Sequence, residues 1–239
     1  GEPHACLGYV HTVFDWRWED AEREFQKAFE LNPSNGSYWY WHSNLKGAIG
    51  QLDEAIRLLE KGLEYDPLNI YMHMHRGLTL FTAGRYSEAE EAYKRSLELE
   101  PTLHGARSSL GLVYHFQGRT EEGLREMIRG VEESGRQQFN LWFLGSTYAD
   151  LGREEEAEAV LSEMMERRKR EFMFNGFIAS IHTLLGRKDE AFRWLDLAFE
   201  EREFVLAGWG LHLPSWTFRG LEDDPRFTEI LDRVREAGQ

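Results

Sequence analysis

The stretch that decides the fold is Gly84-Arg-Tyr-Ser-Glu-Ala-Glu-Glu-Ala-Tyr-Lys-Arg-Ser-Leu-Glu-Leu-Glu-Pro101. Its apolar residues recur at helical spacing, so they fall on one face of a helix whose other face is charged. Gly84 can end a preceding helix in a left-handed conformation, and Pro101 marks where this helix stops. The stretch therefore predicts one amphipathic helix between two turns.

The same pattern recurs every 34 residues, with no insertion or deletion between the copies. A small residue early in the helix occurs at Ala21, Ala55, Ala89, Gly123, Ala157 and Ala191. The turn residue five positions earlier is Trp16, Gly50, Gly84, Gly118, Gly152 and Gly186. A large apolar residue follows the small one by one helical turn, at Phe25, Leu59, Tyr93, Met127, Leu161 and Leu195. The unit ends at Pro33, Pro67 and Pro101, and then at Gly135, Lys169 and Glu203. A fixed period of this length predicts an array of helix-turn-helix repeats.

These residues resemble the tetratricopeptide repeat. The resemblance includes the pairs Gly111…Tyr114 and Gly145…Tyr148 and the aromatic Trp39 near the start of a first helix. It implies an all-α, right-handed α-solenoid in which a small residue lets the two helices of each repeat approach closely. The six repeats are predicted at about 2–35, 36–69, 70–103, 104–137, 138–171 and 172–205. Trp16 in place of glycine predicts a longer turn in the first repeat.

A narrower resemblance covers nearly the whole chain. The strings Phe14-Asp-Trp-Arg-Trp-Glu-Asp-Ala-Glu-Arg-Glu-Phe25, Gly186-Arg-Lys-Asp-Glu-Ala-Phe-Arg-Trp-Leu195 and Asp223-Asp-Pro-Arg-Phe227 are similar to the C-terminal repeat region of bacterial signalling proteins. In such proteins that region follows an adenylate cyclase, winged-helix or kinase domain. The resemblance implies a sensory or scaffolding part, and the start of the chain without Met suggests an excised domain.

Residues 206–239 break the period. Two glycines and Pro214 near its start predict an irregular segment, and Pro225, preceded by two aspartates, predicts a capping helix over the last repeat. No matching polar cap precedes repeat 1, whose first helix carries Cys6, Leu7, Val10 and Phe14. Two copies could associate through that uncapped face.

Composition excludes several classes of protein. With 28 Lys and Arg against 42 Asp and Glu, the net charge of −14 disfavours nucleic acid, and the basic run 167–170 is interpreted as the solvated end of a helix. A single Cys permits neither an internal disulfide nor a Cys-based zinc site. No apolar run is long enough to span a membrane. The absence of a signal sequence favours the cytoplasm.

Motifs for catalysis are missing from the sequence, which contains no GxSxG, GxxxxGK[ST], GxGxxG, HExxH or CxxC. The sequence therefore predicts no enzyme and no cofactor. His42, His75, His104 and His115 lie in successive first helices and leave a composite metal site as an alternative. Imidazoles that fill the spaces between helices are the favoured interpretation.

The concave face is the predicted site for a partner. The register of the first helices predicts that it is lined by Tyr40, Asn44, Tyr71, Met74, Leu78, Phe81, Ser108, Leu112, His115, Phe139, Trp142 and Ser146. Such an aromatic and apolar lining suits a peptide or an amphipathic helix. The Lys/Asn/Lys/Arg carboxylate clamp of chaperone adaptors is matched only by Asn44, so chaperone C-termini are disfavoured.

Two functions remain open at this point. The first is a non-enzymatic module that binds a protein or peptide in the groove. The second is a small-molecule or metal sensor, in which Trp209, His212 and Trp216 of the tail close the groove.

Overall fold

The computed structural model describes residues 1–206 and 216–237, which form thirteen α-helices and no strand. The helices are α1 Glu2–Val10, α2 Trp18–Leu31, α3 Gly36–Ala48, α4 Leu52–Tyr65, α5 Ile70–Thr82, α6 Tyr86–Leu99, α7 His104–Phe116, α8 Thr120–Glu133, α9 Gln138–Asp150, α10 Glu154–Arg168, α11 Asn175–Leu184, α12 Lys188–Glu200 and α13 Pro225–Ala237. From α1 to α12 each helix packs against the next, and α13 packs against α12. The predicted all-α solenoid with a capping helix is confirmed. None of the described helices is long and apolar enough to cross a membrane.

The turns between paired helices use a left-handed residue. Gly84, for example, has a φ of +74°, and the next amide, that of Arg85, donates to the carbonyl of Leu80 at 2.9 Å. This bond satisfies a carbonyl that the end of α5 would otherwise leave unpaired. In the first repeat, Trp16 takes this conformation with a φ of +59°, and a π-helical turn at His11–Asp15 precedes it.

The tightest helix pair is α7 and α8, where two glycines face each other. A Cβ atom on Gly111 would lie 2.6 Å from the carbonyl oxygen of Gly123, and one on Gly123 would overlap the carbonyl oxygen of Gly111. The two backbones are therefore in direct contact. The small residue at position 123 therefore lets the two helices approach closely, as the repeat pattern predicts.

The segment after the repeats packs back across them. The Trp216 ring meets Phe116, at the end of α7, edge-on at 5.5 Å, and Arg219 pairs with Asp150 at the end of α9. Helix α13 then covers α12, where Arg233 lies 4.1 Å from the centre of the Phe199 ring and 2.7 Å from an oxygen of Asp196. Trp209 and His212, predicted to close the groove, lie outside the described residues.

The first repeat contacts the last one. Trp16 is completely buried and its ring centre lies 5.8 Å from that of Phe199. Arg202 stands over the indole at 5.8 Å, and its guanidinium donates to the backbone carbonyl of Asp15 at 3.2 Å. We call these four residues the clasp. Because the clasp joins residues far apart in the chain, the solenoid is closed on itself.

Candidate protein-interaction surface

Half of the residues predicted to line the concave groove are buried. They are Leu78, Phe81, Ser108, Leu112, Trp142 and Ser146. Trp142 shows the cause, because its indole stacks on Phe177 of the next repeat at 4.2 Å and donates to the hydroxyl of Ser180 at 2.6 Å. Neighbouring first helices thus pack directly on each other, and these side chains lie between them rather than facing solvent.

His115, also predicted in the groove, is a structural histidine. Its Nδ1 lies 3.2 Å from the hydroxyl of Thr120, and its Nε2 lies 3.0 Å from a carboxylate oxygen of Asp150. The hydrogen bond with His115 is the main cause that lowers the pKa of Asp150, and Arg219 adds to it. The group therefore ties α7, α8, α9 and the C-terminal segment together.

The other predicted groove residues retain exposed surface, and we call them the aromatic strip: Tyr40, Asn44, Tyr71, Met74 and Phe139. Tyr71 is the most open of them at 55% exposure. The amide of Asn44 donates to the Tyr40 carbonyl at 2.8 Å, and burial raises the pKa of Tyr40 to about 12. A Cβ atom on Gly105 would lie 3.9 Å from Phe139 and 4.0 Å from Met74. The backbone of Gly105 therefore lies between these two side chains.

The histidines that could have formed a metal site are placed apart. His42 bonds to Glu22 at 3.0 Å, and His104 lies 3.6 Å from Glu133. His75 is buried under Tyr40, edge-on at 5.3 Å, and burial lowers its pKa to about 4. Within residues 1–206 and 216–237, no three His, Cys, Asp or Glu side chains are grouped to hold a metal ion.

A pocket that sequence reasoning missed lies where α10 leads into α11. It encloses about 380 Å³ and is lined by Gln137, Gln138, Phe139, Arg167, Glu171, Phe172, Met173, Phe174, Phe177 and Phe204. We call it the Phe pocket. Phe172 stands at its rim with 61% of its surface exposed, and Phe174 meets it edge-on at 4.8 Å. Phe139 belongs to both the aromatic strip and the Phe pocket, so the two surfaces are continuous.

The pocket exists because α11 starts late. The first helices of the earlier repeats start at residues 36, 70, 104 and 138, which predicts a start at 172, whereas α11 starts at Asn175. The connection 169–174 therefore has six residues, against four in 134–137. The string Phe172-Met-Phe174 was the available signal, but the period assigned it to a helix.

Hydrogen bonds fix the shape of this connection. The side-chain oxygen of Gln138 accepts from the amide of Phe174 at 2.9 Å, and its nitrogen donates to the carbonyl of Phe172 at 3.4 Å. Arg167 pairs with Glu171 and donates to the carbonyl of Arg136. The polar groups of Gln138, Arg167 and Glu171 are thus partnered, and what the pocket offers a ligand is mainly apolar surface.

Comparisons with known proteins identify the repeats. Models of the tetratricopeptide repeat match residues 42–104, 104–127 and 140–169. These segments are tetratricopeptide repeats (TPRs). No curated protein matches the sequence. The narrower resemblance to bacterial signalling proteins stays a prediction.

Solved TPR structures share this fold at low sequence identity. PilF of Pseudomonas aeruginosa is 15% identical over 83% of this chain and 90% of its own, with a TM-score of 0.58. A TPR protein of Parabacteroides merdae is 16% identical over 98% and 100%, with a TM-score of 0.55. MamA of Desulfovibrio magneticus is 17% identical over 65% and 88%, with a TM-score of 0.51. At these identities the likeness shows the fold alone.

The TPR turns carry an arginine ladder that supports neighbouring repeats. Arg119 lies 3.8 Å above the ring of Tyr114, pairs with Glu122 at 2.7 Å in its own repeat and reaches Glu90 of the previous TPR at 3.1 Å. Arg187 likewise reaches back to Glu158 at 2.6 Å. These ion pairs join the second helices of successive repeats.

Proposed function

We propose that this chain is a non-enzymatic interaction module that binds a protein or peptide segment along the aromatic strip, with the main contact in the Phe pocket. The observation that carries the proposal is the pocket of about 380 Å³ with the exposed Phe172 at its rim. An exposed patch of large apolar side chains marks an interaction site, and pockets that take aromatic or aliphatic anchors dominate binding energy. A cavity of this size admits one or two such side chains.

The partner lies at one edge of the predicted groove rather than along its whole width. Burial of Leu78, Leu112 and Trp142 removes the middle of the groove as a contact surface. Tyr71 and Phe172 are the most exposed aromatic side chains of the strip and the pocket, respectively, so a segment that follows the strip ends in the pocket.

The cellular setting proposed here is a bacterial signalling or regulatory protein in the cytoplasm. The strings at 14–25, 186–195 and 223–227 support it through their similarity to the repeat regions of such proteins. Purification of the protein with an attached cyclase, kinase or winged-helix domain from its native source tests this setting, and a wholly different attached domain contradicts it.

Panning a random peptide library on the purified protein tests the binding site. We expect the selected peptides to carry aromatic or branched aliphatic residues and to lose about tenfold in affinity on Phe172→Ala, because the substitution removes an exposed anchor. Ile128→Ala, which changes another exposed apolar residue on α8, serves as the matched control. Peptides that bind the variant Phe172→Ala as well as the wild type would place the site elsewhere.

A second candidate function is a small-molecule sensor, favoured by a cavity of about 540 Å³ between α10 and α12. His182 and Trp194 line it, and the buried Nδ1 of His182 has no hydrogen-bond partner. Repeats 4 and 5 place Tyr114 and Tyr148 at the equivalent position. His182→Tyr should therefore abolish any thermal shift produced by an aromatic small molecule, and a shift that survives the substitution excludes this cavity.

Self-association through the first repeat is also proposed. Leu7, Val10 and Phe14 follow one face of α1 and its π-helical turn, with 42%, 39% and 58% of their surfaces exposed. Burial of such a row between two copies would stabilise a dimer. Light scattering should then show a dimer that Val10→Asp converts to a monomer, and a wild-type monomer at high concentration contradicts it.

A further inference from the structure

We infer that the segment after the repeats occupies a second binding site, and that this site takes a partner segment in which a basic residue follows an aromatic one by three positions. The site lies where α7 and α9 end, at Phe116 and Asp150. Helix α9 has 13 residues, so its end lies roughly 18 Å from its start, where Phe139 lines the Phe pocket. The inference therefore goes beyond the proposed function and concerns a different surface.

The first half of the site is an aromatic cluster that receives Trp216. Phe116, the last residue of α7, meets the Phe81 ring edge-on at 5.2 Å and lies 5.5 Å from the Tyr86 ring. These three rings come from α5, α6 and α7, and so from two successive repeats. Trp216 stands edge-on to Phe116 at 5.5 Å and is only 4% exposed. Rings at such separations attract one another, so the cluster is suited to one further aromatic side chain.

The second half of the site is the carboxylate of Asp150, the last residue of α9. One of its oxygens lies 3.0 Å from Nε2 of His115, and the other accepts from the guanidinium of Arg219. The Asp150 side chain is 13% exposed, whereas that of Arg219 is 61% exposed. The repeats therefore hold the anion in place, and the cation that pairs with it reaches in from the surface.

One turn of the chain presents both groups to the site. The amide of Arg219 donates to the carbonyl of Trp216 at 3.4 Å, so the two side chains stand three positions apart around a turn. Phe218, between them, packs in the cap instead, with its ring centre 5.7 Å from that of Phe227. Leu221 is fully buried in the same cluster. Because the cap has these anchors of its own, Trp216 and Arg219 can leave the site without unfolding it.

The segment fits this site imperfectly, which allows a partner to replace it. The indole nitrogen of Trp216 and the hydroxyl of Thr217 are buried without a hydrogen-bond partner among residues 1–206 and 216–237. Unpaired buried donors oppose docking, and an ion pair with an exposed partner such as Arg219 returns little. A partner segment without the hydroxyl avoids part of this cost. It must still compete with a tethered segment, whose effective concentration is high.

Fluorescence anisotropy with labelled peptides tests the inference on the full chain. The first peptide carries Trp-Ala-Ser-Arg between polar flanks, and two control peptides replace its Trp by Ala or its Arg by Glu. We expect Trp216→Ala to raise the affinity of the first peptide about tenfold, because it removes the anchor of the competing segment. Arg219→Ala should raise it less, by about threefold. Each control peptide should bind Trp216→Ala about tenfold more weakly than the first peptide does.

Two control variants separate release of the site from a loosened cap. Phe227→Ala removes the aromatic side chain that packs on Phe218 within the cap. Arg235→Ala removes an arginine of α13 whose side chain is 61% exposed, as much as that of Arg219. Neither substitution should change the affinity of the first peptide.

Substitutions in the site itself locate the bound peptide. In the Trp216→Ala background, Asp150→Asn should remove the preference for Arg over Glu in the peptide. Phe116→Ala in the same background should remove the preference for Trp over Ala. The two substitutions act on separate halves of the site, so each result stands if the other variant does not fold. Circular dichroism spectra check the fold of every variant.

Three results would overturn the inference. A peptide that binds wild type and Trp216→Ala equally, or binds neither, would make the segment a structural part of the cap alone. An equal gain in affinity on Phe227→Ala would assign the effect to a loosened cap. Peptide binding to Trp216→Ala that is lost on Phe172→Ala would place the peptide in the Phe pocket, which rejects this site and supports the proposed function. Binding that needs Asp150 and ignores Phe172 supports the inference even if the proposed function fails.

Discussion

Glu203 shows how one side chain can decide where a helix begins. It is only 3% exposed, and its carboxylate accepts from the backbone amides of Asn175 at 2.7 Å and Gly176 at 3.0 Å. The side chain of Asn175 donates to it as well, at 2.7 Å. These are amide groups that the start of α11 would otherwise leave without partners. Because Glu203 fixes the start of α11 at Asn175, it also leaves Phe172 and Phe174 free to form the Phe pocket.

We expect Glu203→Ala to lower the free energy of unfolding by about 2–3 kcal/mol, because it leaves buried donors without an acceptor. Glu203→Gln should cost less, since its amide oxygen can still accept the bonds from Asn175. Urea unfolding measures both, with the exposed Glu200→Ala as control. An alanine variant as stable as the wild type would show that water replaces the carboxylate at no cost.

The pH dependence of this effect has a defined sign. Burial is the main cause that raises the pKa of Glu203, so the folded state holds this proton more tightly than the unfolded state. Its contribution to stability therefore grows as the pH falls through the folded-state pKa. Urea unfolding of the wild type and Glu203→Gln, compared at neutral and mildly acidic pH, should show that the wild type gains stability relative to the variant as the pH falls.

Glu22 provides the opposite case for comparison. The hydrogen bond from His42, followed by that from Lys46, outweighs burial and lowers its pKa to about 2. The contribution of Glu22 to the stability of the folded state is present above its unfolded-state pKa and is lost as the pH falls. The wild type should therefore lose stability relative to Glu22→Gln over the same acidic range. If both variants show the same sign, the cause assigned to one of the two groups is wrong.

At the scale of helices, the contact of α7 with α8 limits which small residue can stand at position 123. Five of the six repeats have alanine there, so Gly123→Ala restores the common residue and improves helix propensity. A methyl group would nevertheless overlap the carbonyl oxygen of Gly111. We expect the substitution to destabilise the protein by about 1–3 kcal/mol through overpacking.

A second glycine provides the control for this prediction. Gly47 lies within α3, and nothing lies within 4 Å of where its Cβ atom would be. Gly47→Ala should therefore stabilise the protein by up to about 1 kcal/mol, the propensity gain alone. Thermal unfolding of the two variants should shift the midpoint in opposite directions. A stabilising Gly123→Ala would mean that α7 and α8 can separate without cost.

The elements were more predictable than the surface they present. The ladders of small, turn and apolar residues predicted paired helices because local propensity and packing agree at Ala89 and Gly84. A helical register predicts the direction in which Trp142 and Ser146 point but not the distance to the next repeat. They were therefore predicted to line the groove, whereas both are buried between neighbouring first helices. The Phe pocket was missed because the late start of α11 depends on the side chain of Glu203, which lies at the far end of the same repeat in the sequence.

At the scale of the whole molecule, the clasp joins the first repeat to the last one in a class of fold whose two ends are usually far apart. A repeat array needs contacts only between neighbours, so nothing in the period predicts a contact between Trp16 and Phe199. The left-handed conformation of Trp16 costs about 1–2 kcal/mol for a residue with a Cβ atom. Glycine would avoid this cost, as it does in the other five turns, so the buried indole is what offsets the strain.

Trp16→Gly separates the turn from the clasp, because it supplies the turn residue of the other repeats and removes the indole. We expect the first turn to keep its helices while the solenoid opens, since a fully buried tryptophan loses its contacts with Phe199 and Arg202. Small-angle scattering should report a larger radius of gyration, and the free energy of unfolding should fall by about 2–4 kcal/mol after the relieved strain is counted. Leu68→Ala, at an exposed apolar residue in the turn between α4 and α5, is the control. A Trp16→Gly protein with the wild-type radius of gyration would mean that the cap and its neighbours, not the clasp, set the curvature of the solenoid.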